Sequence, residues 1–373
     1  MIQFPAEGHE TYEFPKVRDT PHYLVPKGGY DGQFYAQLAV DPLIKDGAID
    51  RAMDNAPYRA RRILFSWTAW LAGLGRPAWI LQAYALQNVV AWLALAWLLT
   101  RWFPIGSARS FALWSGCLLT HGLLISVRAA LLDGPSLLLL AGAATLTASA
   151  TDTASGVVSP APATVARPRV RDALAVALVG LSGLARETNL LGVVMFVRAP
   201  GQSWRSWRSW LRFGVIVIAC AIPLLLWLDY LRSIYLTSAL GGVEQFARPL
   251  DSLDWKLTLT LGQLRRGGWH WTPLVSLIAI IAFLWQGGFV IWCVLTRRET
   301  SSPWLLLGLM YFALGLVTSH SVWEGTPGPI TRLTLPLTVA FNVLARRAPW
   351  PAILVGNLGI IPGIVEFGFA ELP

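Results

Sequence analysis

Long apolar stretches recur along the sequence from residue 78 onward, separated by short polar segments. Most of them approach the roughly 20 residues that a helix needs to cross a bilayer. The stretches cover residues 78–100, 108–127, 134–150, 172–185, 188–198, 211–231, 272–296, 303–319, 330–345 and 350–368. They predict an all-α, polytopic helical membrane protein with about nine or ten membrane segments. A transmembrane barrel is excluded because its strands alternate polar and apolar residues.

Two stretches, 172–185 and 188–198, are too short to cross a membrane alone. Because they flank Arg186 and Glu187, we expect two half-length helices that meet at a charged tip. Residues 1–62 are polar, contain Pro and Gly throughout and do not begin like a signal peptide. Residues 63–75 are apolar but short, as in an interfacial helix. The chain is therefore expected to divide into an N-terminal segment, residues 1–76, and a transmembrane domain, residues 77–373.

Composition supports a membrane protein. Hydrophobic residues make up 54% of the chain and charged residues 14%, and the mean hydropathy is +0.51. Soluble domains carry about 25% charged residues, so a soluble domain is excluded. The 19 Trp residues exclude a disordered chain. Cys117, Cys220 and Cys293 lie in apolar stretches without the spacing of a metal site, and we expect them to pack as small hydrophobic residues.

The distribution of charge predicts an orientation. With residues 1–62 outside, the inner loops hold 13 basic and 3 acidic residues, a net charge of +10, and the outer side has a net charge of −1. Basic loops stay in the cytoplasm, so the protein is predicted to be multi-pass in the cytoplasmic membrane. Residues 151–171 become a cytoplasmic linker, residues 203–210 a cytoplasmic interfacial anchor and residues 232–270 an outer loop. The basic residues thus set orientation, and nucleic acid is not expected as a partner.

One feature of the N-terminal segment conflicts with this orientation. A polar segment of 62 residues has nothing to carry it across the membrane. We therefore expect a further transmembrane helix upstream of Met1. The alternative is that the segment stays in the cytoplasm, which would reverse the orientation of every loop.

Ionisable residues near the predicted outer face are candidates for function, because charges at membrane depth are costly. Several of them come from separate segments, which favours a shared pocket. The candidates are Asp31, Arg128, Asp133, Arg186, Glu187, Asp229, Glu324 and Arg332. Each also has a structural interpretation: a neutralised pair at a helix tip, a snorkelling arginine or a charged helix end.

The segment Gly28–Tyr35 carries the most specific pattern. Its glycines would let the backbone approach a ligand, and Tyr30, Phe34 and Tyr35 offer stacking faces. Asp31 offers a carboxylate suited to general-base chemistry. The alternative is a glycine turn whose aromatic residues hold a surface loop together.

Three stretches carry a resemblance to a known family. The first runs from Gly29-Tyr30-Asp31-Gly32-Gln33-Phe34-Tyr35 through Ala39-Val40-Asp41-Pro42 to Ala56-Pro57-Tyr58-Arg59-Ala60-Arg61-Arg62-Ile63-Leu64. The others are Leu184-Ala185-Arg186-Glu187-Thr188 and Arg332-Leu333-Thr334-Leu335-Pro336-Leu337. Together they resemble a large family of bacterial integral-membrane proteins of the GT-C superfamily, glycosyltransferases that use polyprenyl-phosphate sugars. The resemblance covers nearly the whole chain.

The resemblance implies roles for individual residues. Asp31 matches the acidic residue of the first extracytoplasmic loop, which acts as a base or orients the acceptor. Arg186 and Arg332 become candidates for binding the lipid phosphate, and topology adds Arg128. The substrate-binding set is Tyr30, Gln33, Tyr35, Arg128, Asp133, Arg186, Glu187, Glu324 and Arg332. The segment 128–135 is less acidic than the family pattern.

The expected activity is transfer of a sugar from a polyprenyl-phosphate donor to an extracytoplasmic acceptor, with inversion at the anomeric carbon. The partners are then the lipid-linked sugar and the surrounding membrane lipid. No cofactor is expected, and no acidic pair forms an evident metal site. Use of a divalent cation is left open. Two alternatives remain: a transporter or flippase of a lipid-linked saccharide, and a GT-C-like subunit without activity.

Overall fold

The computed structural model describes residues 1–6, 13–25, 29–104, 106–148, 168–197, 207–235, 243–267, 270–298 and 302–368. These residues form a helical bundle, which confirms the predicted all-α class. The described strands are Phe4–Pro5 (β1) and Leu24–Val25 (β2), which pair in parallel with Phe4 opposite Leu24. Residues 151–167 of the predicted linker 151–171 lie outside the described residues. Residues 203–206 of the predicted anchor 203–210 also lie outside them.

The described part of the N-terminal segment contains five short helices. They are Pro15–Arg18 (α1), Gly32–Val40 (α2), Ala48–Arg51 (α3), Ala56–Ala60 (α4) and Leu64–Ala72 (α5). Asp31, in the segment that was predicted to be a catalytic extracytoplasmic loop, lies immediately before α2. A helix forms because Tyr35, Leu38 and Ala39 recur on one buried face and no Pro or Gly interrupts residues 33–40.

The remaining helices follow in chain order. They are Pro77–Leu99 (α6), Ala108–Leu118 (α7), His121–Arg128 (α8), Asp133–Thr147 (α9), Pro168–Ala185 (α10), Trp207–Ile234 (α11), Asp251–Gly267 (α12), Trp271–Leu295 (α13), Pro303–Val317 (α14), His320–Trp323 (α15), Ile330–Leu333 (α16), Leu335–Leu344 (α17), Trp350–Gly356 (α18) and Ile360–Gly368 (α19). Short 3-10 segments cover Glu187–Phe196, Val243–Gln245 and Ala345–Arg347.

Three of the described helices, α6, α11 and α13, are long and apolar enough to cross a membrane. Two bent pairs add up to two further spans: α7 with α8, bent by 52°, and α18 with α19, bent by 47°. Shorter apolar helices cover Glu187–Phe196 and α14. The chain is therefore a multi-pass membrane protein, and the count of nine or ten segments stays a prediction.

Two predicted segments have a different local structure. The apolar stretch 330–345 is divided into α16 and α17, because Pro336 lies in the first turn of α17 and favours a new helix start. The predicted outer loop 232–270 contains the 17-residue helix α12. The polar residues of this stretch did not predict a helix.

The N-terminal segment is packed onto the membrane helices. Phe14, Tyr35 and Ile63 share one apolar cluster with Tyr84 of α6 and Trp227 of α11. The Trp227 indole N–H also donates to the Ala60 carbonyl oxygen at 2.8 Å. This packing places helices α2 and α4 over one end of the bundle.

Candidate functional site

Two adjacent helices bring Asp133 and Arg186 together. Helix α9 begins with Asp133, and α10, which packs against α9, ends immediately before Arg186. The backbone of Arg186 is extended and leads into the 3-10 segment Glu187–Phe196, so the helix breaks at Arg186 as predicted, although α10 has 18 residues and is not half-length. The guanidinium of Arg186 forms an ion pair with the Asp133 carboxylate.

Asp31 reaches the same place because Gly32 lies directly on the backbone that precedes α9. A Cβ atom at Gly32 would be 2.2 Å from the carbonyl oxygen of Ala129. Only glycine allows so close an approach. The Asp31 side chain is 36% exposed, and its Oδ1 accepts a hydrogen bond of 2.9 Å from Arg59.

Arg332 lies between the two carboxylates. Its NH2 is 3.7 Å from Asp31 Oδ2, and its NH1 is 3.7 Å from Asp133 Oδ2. The guanidinium also lies over the ring of Tyr30, 5.6 Å from its centroid. Arg332 is therefore close enough to Asp31 Oδ2 for an ionic interaction, but too far from it for a hydrogen bond.

Helix α4 and the residues after it supply more arginines. Arg59 donates to Asp54 Oδ2 at 2.7 Å in addition to Asp31. Arg62 donates to Glu187 Oε2 at 3.0 Å, and Arg61 Nε lies 3.1 Å from Glu187 Oε1. The Tyr35 and Tyr58 hydroxyl oxygens accept hydrogen bonds of 3.2 and 2.8 Å from Arg62.

The environments of these arginines differ. Burial opposes the charge of Arg59, but Asp54, Tyr35 and Asp31 outweigh it and raise its pKa above the ordinary value. Burial and the like charges of Arg62 and Arg332 lower the pKa of Arg186 to about 10. Arg186 thus stays charged at neutral pH, but it lies in a field that favours an added anion.

These side chains surround a cavity of about 280 Å³. Its charged wall comprises Asp31, Arg59, Arg62, Asp133, Arg186 and Arg332. Gln245 and Ser321 add uncharged polar groups, and the Ser321 hydroxyl donates to Gln245 Oε1 at 3.3 Å. The cavity can therefore hold an anionic group together with a hydroxyl-bearing group.

No protein-family model matches the sequence, and no curated protein matches it. One solved structure that it resembles is that of ArnT from Cupriavidus metallidurans in the apo state, with 16% sequence identity and a TM-score of 0.48. The match covers 88% of this chain and 57% of that chain, so the protein spans little more than half of the ArnT structure.

Half of the ten sequence-predicted site residues line the cavity: Asp31, Tyr35, Asp133, Arg186 and Arg332. Two others support the wall, since Tyr30 lies against Arg332 and Glu187 pairs with Arg61 and Arg62. The structure does not place the other three on the wall.

Those three side chains have other surroundings. Gln33 is 6% exposed and lies against Gly29, and Arg128 donates to the Glu366 carbonyl oxygen at 2.7 Å. Glu324 is exposed and interacts electrostatically with Lys256 of α12. These three side chains are not among the lining residues of the cavity, and their roles in substrate binding stay predictions.

Five lining residues had no role predicted from the sequence: Tyr58, Arg59, Arg62, Gln245 and Ser321. The three arginines within residues 59–62 could have drawn attention to Tyr58, Arg59 and Arg62. Basic residues before an apolar helix also occur as simple membrane anchors, however, so this signal is not specific. Gln245 and Ser321 stand in no motif, so only the tertiary structure locates them.

No group of three or more His, Cys, Asp or Glu side chains within the described ranges is arranged to hold a metal ion.

Proposed function

We propose that this protein is a membrane glycosyltransferase of the GT-C type. It transfers a sugar from a polyprenyl-phosphate donor to a hydroxyl acceptor at the outer face of the cytoplasmic membrane. The observation that carries the proposal is the arginine-lined cavity at one end of an apolar helical bundle, with the Asp31 carboxylate on its wall.

The charge of the site fits this donor. The ion pairs around the cavity join five arginines, Arg59, Arg61, Arg62, Arg186 and Arg332, to four carboxylates, Asp31, Asp54, Asp133 and Glu187. The net charge of this group is +1, which complements the single negative charge of a sugar phosphodiester. Arginine suits phosphate because its planar fork donates two parallel hydrogen bonds.

The reaction follows from the placement of Asp31. Asp31 Oδ2 accepts the proton of the acceptor hydroxyl, whose oxygen forms a bond to the anomeric carbon. The bond between that carbon and the phosphate oxygen breaks, and its electron pair leaves with the lipid phosphate. A single displacement of this kind inverts the anomeric centre.

The arginines act on the leaving group. Negative charge increases on the phosphate as the bond breaks, and fixed cations beside it stabilise that charge. Arg332 and Arg186 are the best placed, because both lie on the cavity wall beside Asp133. Arg59 orients Asp31 through its hydrogen bond to Oδ1, which leaves Oδ2 for the acceptor.

The test is replacement of Asp31. Asp31→Asn keeps the shape of the side chain and removes the proton acceptor, so transfer should fall by about 10²–10⁴-fold. Binding of a sugar-free polyprenyl phosphate should persist, whereas Arg332→Ala should weaken it. Transfer is measured in detergent with a panel of polyprenyl-phosphoryl hexoses and pentoses.

Asp46→Asn is the matched control. Asp46 is a carboxylate of the same N-terminal segment, it accepts from the Ala48 N–H, and an amide retains that bond. This variant should keep wild-type transfer. Full turnover by Asp31→Asn would remove Asp31 as the base. Transport of a lipid-linked saccharide across vesicles by a wild-type protein that transfers no sugar would replace the enzyme with the flippase alternative.

A further inference from the structure

One part of the cavity wall is polar but carries no charge. It consists of Gln245, at the end of the 3-10 segment Val243–Gln245, and Ser321, in the short helix α15. In the proposed function the charged side chains bind the phosphate and accept the proton of the acceptor. Gln245 and Ser321 take no part in that chemistry, which leaves them for another part of the substrate.

The backbone holds these two residues in place. The Ser319 N–H donates to the Gln245 carbonyl oxygen at 2.8 Å. Next to this bond, Phe246 pairs with Thr318 in an antiparallel bridge. Thr318 is 3% exposed, and its hydroxyl oxygen accepts a hydrogen bond of 3.1 Å from the buried Trp323 indole. This part of the wall is therefore fixed to the helical bundle before a ligand binds, which lowers the entropy cost of binding.

Hydrogen bonds also orient the Gln245 side chain. The Ser321 hydroxyl donates to Gln245 Oε1 at 3.3 Å. Since Ser321 has a single hydroxyl proton, the Ser319 hydroxyl is the donor in the 2.8 Å contact between the two serine oxygens. Within the described residues, the amide N–H₂ group of Gln245 forms no hydrogen bond. Its two N–H donors are thus available to a ligand in the cavity.

This arrangement suits the hydroxyl groups of a sugar ring. One hydroxyl oxygen can accept from the Gln245 amide, and a neighbouring hydroxyl can donate to the remaining lone pair of the Ser321 oxygen. A phosphate only accepts hydrogen bonds, and the arginines offer it stronger, charged donors. An apolar group would leave the amide unpaired, which is costly. The chemistry of this part of the wall therefore favours a pair of hydroxyl groups.

The chain places this pair beside the predicted phosphate ligand. Ser321 and Arg332 are the two ends of the segment 321–332, and Pro329 between them also lines the cavity. Asp31 comes from the N-terminal segment. One chain segment thus carries a group for phosphate and a group for hydroxyls, the two parts of a sugar phosphate. The cavity of about 280 Å³ is near the lower limit of small-molecule sites, which suits a single sugar.

We propose that Gln245 and Ser321 select the donor by binding adjacent hydroxyl groups of its sugar. The Gln245 amide donates to one hydroxyl oxygen, and the Ser321 oxygen accepts from the neighbouring hydroxyl. The inference rests on the proposed function, in which Arg332 binds the phosphate of the same donor. Gln245 and Ser321 determine specificity, and neither takes part in bond cleavage.

The test compares the binding of two lipid phosphates of equal charge. One is a polyprenyl-phosphoryl sugar, taken from a panel of hexoses and pentoses. The other is polyprenyl methyl phosphate, which keeps the phosphodiester and lacks the sugar. In detergent, the wild-type protein should bind its preferred sugar donor at least about fivefold more tightly than the methyl diester, the size expected for one neutral hydrogen bond.

Variants of the pair should lose this preference. Gln245→Met and Ser321→Ala should each lower it about fivefold, because each removes a hydrogen bond to the sugar, and should leave binding of the methyl diester unchanged. Ser321→Thr keeps the hydroxyl and should keep the preference. Gln263→Met is the matched control, because Gln263 is an exposed glutamine of α12 and is not among the lining residues. It should behave as wild type.

Three results would overturn the inference. The first is an unchanged preference in both Gln245→Met and Ser321→Ala. The second is equal weakening of both lipid phosphates by these variants, which would indicate phosphate binding or a structural defect. The third is a raised KM for the acceptor with unchanged donor binding, which would assign the pair to the acceptor.

The binding measurement separates this inference from the proposed function. If the wild type transfers no sugar but Gln245→Met loses the preference for the sugar donor, the proposed transferase activity fails and sugar recognition stands. If the wild type transfers sugar and Gln245→Met keeps the full preference, the proposed function stands and the inference fails.

Discussion

Because Gly32 has no side chain, its backbone can lie against residue 129, and this contact sets the position of the neighbouring Asp31 carboxylate. The carbonyl oxygen of Ala129 occupies the space that a Cβ atom would need, at 2.2 Å. The sequence suggested that glycines flank Asp31 so that a ligand can approach. At Gly32 the approaching group is the backbone that leads to Asp133. One glycine thus joins two of the four segments that carry the charged wall, the N-terminal segment and the backbone before α9.

Gly32→Ala should therefore be damaging. The added methyl group forces α2 away from residue 129, which should cost about 1–3 kcal/mol of stability and displace Asp31. We expect a lower melting temperature in detergent and reduced sugar transfer. Gly47→Ala is the matched control, since Gly47 has an ordinary φ of −60° and nothing within 4 Å of a Cβ atom. Equal melting temperatures for the two variants would contradict this account of Gly32.

At the scale of elements, one wall of the cavity is built by joining two separate chain segments. The Ala247 N–H donates to the Val317 carbonyl oxygen at 2.9 Å, and the Ser319 N–H donates to the Gln245 carbonyl oxygen at 2.8 Å. Lys256 of α12 then donates to the Gly325 carbonyl oxygen at 2.6 Å. Helix α12 thus supports the loop that leads to Arg332.

Lys256→Met should loosen this support. Lys256 is 5% exposed, and its removal leaves the Gly325 carbonyl without that donor. A lost hydrogen bond to a charged donor costs about 1.5–3 kcal/mol. We expect faster proteolysis of the 324–329 loop and a raised KM for the donor, with kcat changed less. The control Lys45→Met removes an exposed lysine and should behave as wild type. A donor KM equal to that of wild type would show that α12 does not support the site.

Across the whole molecule, the two ends of the bundle differ in chemistry. The candidate site lies at the end where α9 begins. Arg171 donates to the carbonyl oxygens of Leu146 and Ala148 at the other end of α9. Helix α9 has 15 residues, so its two ends are about 20 Å apart. Arg109, the second residue of α7, donates to the Arg346 carbonyl oxygen, and both residues belong to segments that the sequence assigned to the cytoplasm.

Cysteine labelling tests the orientation that follows from this charge difference. Cys117, Cys220 and Cys293 are buried, so background labelling should be low. In intact cells, a membrane-impermeant maleimide should react with Asp46→Cys and should spare Arg347→Cys until the membrane is opened. Labelling of Arg347→Cys in intact cells, with Asp46→Cys protected, would reverse the predicted topology.

The sequence by itself determined the helical class and most helix positions, because continuous apolar stretches of membrane length leave few other folds. It also indicated Asp133, Arg186 and Arg332, because charges beside apolar stretches are costly and therefore conspicuous, and Asp31, because glycines and aromatic residues flank it. It placed the break at Arg186 between two short helices for the same reason.

Only the tertiary structure decided which charges meet. Ion pairs such as Arg62 with Glu187 join residues more than a hundred positions apart, and no local pattern encodes their distance. Arg128 and Glu324 look equivalent to Arg186 along the chain, yet packing turns them toward Glu366 and Lys256. Helix α2 lies within the segment that was predicted to be an extracytoplasmic loop, and only the structure shows that Tyr35 and Leu38 on it are buried.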